Sequence, residues 1–300
     1  MQFTRRDFLR IAGASAAAVG LTSLDLANLQ EALANPAGPT VLWLSGASCT
    51  GCTVSLANLA STTAPVDVGD LLINTINLAY HPNLMAANGQ TAVEAAAAAF
   101  YSGNYILAVE GGVPTAFGGN ACYAWTYNNQ DVTFQTAVTQ LAKYAKAVLC
   151  VGTCASFGGI PAAGSNPAGV QSVKAATGVN TINIAGCPAH PNSVVYVVSQ
   201  LLLGNAIPVD ASGRPTALFT PTVHAACPRN GSNTASWLGA SSGCFRSYGC
   251  RGPATHHLCP SQKWNNGVNW CISPTGAHPC IGCSESTFPG TAAFYNITPK

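Results

Sequence analysis

The side chains of this chain most able to do chemistry are its 13 cysteines, since a thiolate binds soft metals, forms disulfides and acts as a nucleophile. Their spacing sorts them. Cys49-Thr50-Gly51-Cys52, Gly152-Thr153-Cys154 and Gly186-Cys187-Pro188 place four thiols on three glycine-bearing segments. Four thiolates suit either a tetrahedral zinc ion or an iron–sulfur cubane. Wide gaps and glycine favour the cubane, because backbone can then approach and aim N–H groups at sulfide; structural zinc stays open on spacing alone. Later in the chain, His224-Ala225-Ala226-Cys227 with Cys244 and Cys250 forms a second group, and Cys259, Cys271, Cys280 and Cys283 form a third. Three four-ligand sites would use twelve side chains, eleven of them cysteine. Cys122 and Cys150 are left over, and Cys150 lies in an apolar run where a thiol serves as a small core residue. A disulfide framework is the rival reading for so many cysteines. Such scaffolds are usually small chains without a core, whereas 300 residues suffice to bury one.

The elements that must position these thiols are legible up to about Leu203. Apolar runs at 41–44, 71–79, 105–110, 147–151 and 181–185 read as buried strands. Helical periodicity falls at 90–101, 133–144, 168–176 and 192–203. Alternation of this kind predicts a mostly parallel sheet with helices on both faces. In such sheets ligands sit at the carboxyl ends of strands, and the three cysteine segments of the first group follow the first, fourth and fifth runs. After Gly204 the character changes: Pro, Gly, Asn and Ser dominate, periodicity fades, and seven cysteines crowd into residues 224–283. A segment without an apolar core of its own needs inorganic staples.

Only 7% of residues are charged, against roughly 25% in an average soluble domain. With 48% hydrophobic residues and a mean hydropathy of +0.25 the composition hints at a membrane protein. Yet no apolar run reaches the roughly 18 residues that a spanning helix needs; the longest, 11–21 and 194–203, are short or broken. A large surface covered by a partner is the better reason for so little charge. The net charge of +2 gives no pull toward nucleic acid or an acidic membrane. At the start of the chain, Arg5-Arg6, an apolar stretch from Ile11, and Ala32-Leu33-Ala34 occur in the order of a twin-arginine export signal. The reading is residues 1–34 removed, a mature start near Asn35, and delivery of a folded protein to the periplasm with all its cysteines.

Taken in order, the segments Cys-Thr-Gly-Cys-Thr-Val-Ser-Leu (49–56), Val-Glu-Gly-Gly-Val-Pro (109–114), Gly-Thr-Cys-Ala-Ser-Phe-Gly-Gly-Ile-Pro-Ala (152–162), Gly-Cys-Pro-Ala-His-Pro (186–191), Gly-Cys-Arg-Gly-Pro (249–253) and Cys-Ile-Gly-Cys-Ser-Glu (280–285) resemble the small, electron-transferring subunit of [NiFe] hydrogenases over practically the whole chain. The resemblance implies an α/β fold: a flavodoxin-like parallel-sheet domain over 35–205 and an irregular C-terminal iron–sulfur domain over 206–300. It implies a proximal [4Fe–4S] cluster on Cys49, Cys52, Cys154 and Cys187, and a distal [4Fe–4S] cluster on His224, Cys227, Cys244 and Cys250. The medial cluster would use Cys259, Cys280 and Cys283. Many members carry proline where this chain has Cys271, and hold [3Fe–4S] there; with Cys271 as fourth ligand the expectation is [4Fe–4S], and the likeness runs toward the [NiFeSe] subgroup. Ser48 stands where many relatives have glutamate. Relatives with an oxygen-protecting proximal cluster carry two extra cysteines, at places held here by Gly51 and Gly159.

By the same likeness the chain would relay electrons between a Ni–Fe centre in a large subunit, where H2 ⇌ 2H+ + 2e−, and a carrier such as a periplasmic cytochrome c. No nucleophile, acid–base pair or phosphate loop points to separate chemistry in this chain. Two rival functions are a secreted disulfide-stapled binding protein and an iron–sulfur subunit of another, for instance quinone-linked, oxidoreductase. Glu110 reads either as part of a proton path or as an acceptor for the Gly111-Gly112 backbone. His190 reads as a hydrogen-bonded neighbour of a cluster, and His256, His257 and His278 as structural residues.

Overall fold

A computed structural model of the protein describes residues 40–61, 65–264, 271–272 and 278–290; the segment read as an export signal and the expected mature start near Asn35 lie outside them. Five parallel strands form one sheet: β1 (Thr40–Ser45), β2 (Asn77–Tyr80), β3 (Tyr105–Glu110), β4 (Ala147–Val151) and β5 (Ile182–Ile184). Their spatial order is β2-β1-β3-β4-β5, the flavodoxin-like winding, whose strand order reverses between β1 and β3. All six residues of β3 are buried, as a central strand covered on both faces requires.

The period of two along each strand divides the core. Leu42, Leu44, Leu107, Val109, Val148 and Cys150 face one layer, packed on α3 (Gly89–Ser102) and α4 (Phe134–Tyr144). Trp43, Ile106, Ala108, Leu149 and Val151 face the other, packed on α1 (Gly51–Ala57) and α7 (Pro191–Leu202). Cys150 is fully buried in the first layer, and burial pushes its thiol up to about 12. Cys122 packs half-buried against that layer's edge.

Two segments differ from the sequence expectation. The apolar run 71–79 is not one strand: helix α2 (Val68–Asn74) occupies its first half and β2 begins only at Asn77. Asp67 decides this, since its carboxylate accepts the Asp70 N–H at 2.9 Å and caps the helix. In the stretch 168–176, beyond α5 (Thr153–Phe157), only α6 (Val173–Thr177) is helical, capped by Ser172; Val170–Gln171 instead pairs antiparallel with Val113–Pro114. A hairpin, Tyr123–Tyr127 against Gln130–Thr133, was not expected. Its turn residues Asn128 and Asn129 both have positive φ, the demand of a two-residue primed turn that asparagine tolerates.

Beyond α7 the described residues hold only short turns of helix, among them Thr216–Phe219 and Cys259–Gln262. Among the described residues the core of this lobe is two small clusters: Val223, Ile272, Cys259 and Cys280, with Cys227, Cys250, Cys271 and Trp264 against them, and Ala235, Ala240 and Phe245, with Tyr248 and Cys250. Thiols therefore make up much of the interior of this lobe. Polar ties fix it to the sheet domain. The Thr153 hydroxyl donates to the Cys283 carbonyl, and His190 Nε2 to the Lys263 carbonyl. Arg214 is clamped between Asp210 at 2.8 Å and Glu285 at 3.0 Å.

Candidate functional site

The first thiol group sits at the carboxyl edge of the sheet, on the segments that leave β1, β4 and β5. Backbone geometry there needs glycine. At Gly152 φ is +90°, and a Cβ would stand 2.4 Å from Cys52 Sγ; at Gly159 φ is +54°, and a Cβ would stand 3.0 Å from Cys154 Sγ. Gly51 likewise leaves room beside Cys49, whose Sγ a Cβ would meet at 2.9 Å. Burial raises the Cys52 thiol well above its ordinary value, helped by the charge of Glu110 and by Cys154 and Cys187. Burial also pushes Cys154 up to about 11, aided by Cys187 and Cys49. Each of the four therefore lies within the field of others. The Ala189 N–H points at Cys52 Sγ from 3.4 Å.

The third group of the sequence lies next to the first. Cys283 is raised strongly by burial, with Cys271, Cys280 and Cys187 adding to it. Cys259 is raised well above normal by burial, then by Cys283, Cys271 and Cys280. The structure thus brings Cys259, Cys271, Cys280 and Cys283 together, with Cys187 of the first group at their side. Cys271, raised by burial, also feels Cys250 and Cys227. The second group follows: Cys227 is raised by burial and by Cys250 and Cys244, and His224 lines one cavity with Cys227, Cys244, Cys250 and Cys280. The set of Cys259 therefore neighbours both of the other groups.

Around them lies a polar surround that the sequence did not disclose. Glu110, at the end of β3, is buried. Its acceptors are filled not by the Gly111-Gly112 turn but by α1: the N–H groups of Cys52 at 2.9 Å and Thr53 at 3.2 Å, and the Thr53 hydroxyl. The Trp43 indole donates as well, at 3.2 Å. His81 stacks on Trp43, and its Nε2 donates to Thr53 Oγ1 at 3.3 Å while Nδ1 accepts the Asn83 N–H at 3.1 Å. Burial holds His81 down to about 4, so the ring is neutral. His190 is held at about 4 by burial too, and its Nδ1 caps α7 by accepting the Asn192 N–H. His257 Nδ1 lies 2.9 Å from Cys259 Sγ, a contact that only its place two residues before that cysteine could have suggested. His256 pairs with Glu285, and His278 is exposed.

Buried thiols that repel one another cannot ionise unaided; bound metal supplies the positive charge that holds them as thiolates. Among the described residues no three Cys, His, Asp or Glu side chains gather closely enough to hold a single metal ion. His224, Cys227, Cys244 and Cys250 line a cavity, and glycine lets backbone come close to Cys49, Cys52 and Cys154, which fits a cluster of iron and sulfide.

A flavodoxin-wound sheet with thiols at its strand ends, continued into a lobe cored by further thiols, defines a protein built around sulfur-ligated metal. Residues 49–201 match the family described as NADH ubiquinone oxidoreductase, 20 Kd subunit, and residues 219–296 match the family of the C-terminal region of NiFe/NiFeSe hydrogenase small subunits. The periplasmic [NiFeSe] hydrogenase small subunit of Desulfomicrobium baculatum is 33% identical, across 98% of this chain and 99% of that one. The periplasmic [NiFe] hydrogenase small subunit of Solidesulfovibrio fructosivorans is 37% identical, across 95% and 90%. The solved [NiFeSe] hydrogenase from Desulfovibrio vulgaris Hildenborough superposes with a TM-score of 0.76 at 35% identity, covering 86% of this chain and 97% of that chain. The chain belongs to the family of [NiFe] and [NiFeSe] hydrogenase small subunits. Membership implies iron–sulfur clusters and a large-subunit partner.

Proposed function

We propose that this chain conducts electrons in a heterodimeric hydrogenase, between a Ni–Fe or Ni–Fe–Se centre in the large subunit and an external one-electron carrier. The observation that carries the reading is that the thiol group of Cys259 neighbours both the group at the sheet edge and the group of His224. Iron–sulfur clusters, when bound, supply one-electron stations. Cys49, Cys52, Cys154 and Cys187 hold the proximal one; Cys259, Cys271, Cys280 and Cys283 the medial one; His224, Cys227, Cys244 and Cys250 the distal one, all as [4Fe–4S]. The chain's own work is to bind them, space them and keep water out. Cys49 is exposed, and Val54 and Ile160, on the segments of Cys52 and Cys154, are 54% and 50% exposed. An apolar rim beside the proximal site is where the large subunit docks.

The match of the C-terminal lobe favours hydrogenase over another oxidoreductase, because that lobe carries the distal set. Export by the twin-arginine signal, with a periplasmic carrier such as a cytochrome c, completes the reading; replacing Arg5 and Arg6 with lysine should strand hydrogenase activity in the cytoplasm. The direct test is anaerobic purification of the complex. The expected result is a brown heterodimer containing nickel, about twelve irons in this chain, and H2-dependent viologen reduction. A colourless chain with paired cysteines would contradict it.

A further inference from the structure

Thr153 stands between cysteines of two different groups. It precedes Cys154 of the first group, on the turn that leaves β4, and its side chain is buried. Its N–H donates to the Gly186 carbonyl at 2.9 Å and its Oγ1 accepts the Gly186 N–H at 2.9 Å, so two hydrogen bonds lock it to the residue before Cys187. The same hydroxyl donates its one proton to the Cys283 carbonyl. One side chain thereby holds the backbone on both sides of the place where the first group meets the third. Cys283 feels the charge of Cys187, and the Cys187 backbone N–H acts on its thiol as a donor, whereas Cys271 and Cys280 of the same group feel Cys250 of the second. The chain is fixed beyond Cys283 as well, since Arg214 Nη1 donates to the Ser284 carbonyl at 2.9 Å.

The shortest bonded route for an electron is the one in which the backbone of one ligand meets the sulfur of the next. From Cys187 Sγ it runs through Cβ, Cα and N and across the N–H to Cys283 Sγ; the route from Cys154 through the Thr153 side chain and the Cys283 carbonyl is several bonds longer. We propose that Thr153 is the positioning residue of the electron link between the first and third groups: its hydroxyl holds the Gly186-Cys187 backbone against Cys283, and the electron crosses between Cys187 and Cys283. The proposal rests on the relay reading above and names the contact which that reading needs. One electron crosses at a time, the first group oxidised by one as the third is reduced by one, and the Thr153 proton stays on its oxygen. The Cys187 N–H also has an energetic effect, because a donor aimed at a ligand sulfur favours the reduced cluster and raises its potential. Without the hydroxyl, the Gly186 N–H and the Cys283 carbonyl lose this partner, and the two segments part to find others.

The test uses the intact, metal-loaded heterodimer with Thr153→Val, which keeps the shape and removes the hydroxyl, and with Thr153→Ser, which restores it. Two readouts accompany iron analysis: redox titration of each cluster by electron paramagnetic resonance, and freeze-quench of the oxidised enzyme after mixing with H2. Thr153→Val should keep its irons and shift the medial potential downward while the distal potential stays in place. Its proximal signal should be reduced as fast as in wild type, while the medial and distal signals lag. Thr153→Ser should return both readouts to wild type. A tie that only stabilised the fold would lower the melting temperature and move neither readout. Thr153→Val with full iron, an unmoved medial potential and no lag overturns the proposal alone. If Thr153→Val assembles without its irons, Thr153→Ala, with less bulk, decides by the same readouts: a lag with a lowered medial potential supports the link, and wild-type behaviour overturns it. A wild-type complex in which H2 reduces no iron–sulfur signal overturns the relay reading, and this proposal with it.

Discussion

Cys271 carries the sharpest residue-scale consequence. A cubane has four iron corners, and a thiolate at each retains all four; a proline in its place has no donor. Cys271→Pro should therefore cost one iron and create a [3Fe–4S] electron paramagnetic resonance signal in the oxidised protein that the anaerobic wild type lacks. A full [3Fe–4S] signal already present in wild type would reject the assignment. His81 makes a second prediction at this scale. Its pKa is about 4 in the folded chain, below the ordinary 6.5. The unfolded state thus binds the proton more readily, and the stability that neutral His81 contributes is present above about 6.5 and lost as pH falls toward 4. The melting temperature of the complex should drop through that window, less steeply in His81→Asn. An equal slope in the variant would remove His81 from the account. The cysteines themselves were legible because ligand spacing is local. The Glu110 network was not, since its donors lie 57 to 67 residues away in sequence and meet only through the sheet.

At the scale of elements, strands β1, β3, β4 and β5 and the long helices were readable because their apolar periods run unbroken. The run 71–79 misled because the deciding residue, Asp67, precedes it and acts through a cap hydrogen bond rather than through hydropathy. The turn at Gly152 shows what the loops between elements must do. With φ at +90° and a Cβ position 2.4 Å from Cys52 Sγ, any side chain there displaces the thiol. Gly152→Ala should lose the proximal cluster, about four irons by analysis, while the medial and distal signals persist. Retention of every iron would mean that the loop yields without cost.

The whole molecule is two unequal solutions to the same need for a core. The sheet domain buries two apolar layers, whereas the C-terminal lobe packs thiols where leucine would otherwise stand. Without metal these buried thiols stay protonated and bridge nothing, and the lobe has little left to hold it. Expression under iron limitation should leave the segment beyond α7 open to proteolysis while the sheet domain stays protected; equal resistance of both would contradict this. The low charge of the chain suits a large covered interface at the sheet edge. The most direct measurement of the central claim is anomalous scattering at the iron edge from crystals of the anaerobically purified complex. It should show three separate iron clusters in a row within this chain: one at Cys49, Cys52, Cys154 and Cys187, the next at Cys259, Cys271, Cys280 and Cys283, the last at His224, Cys227, Cys244 and Cys250. Fewer than three iron centres, zinc in their place, or disulfides joining these cysteines would contradict it.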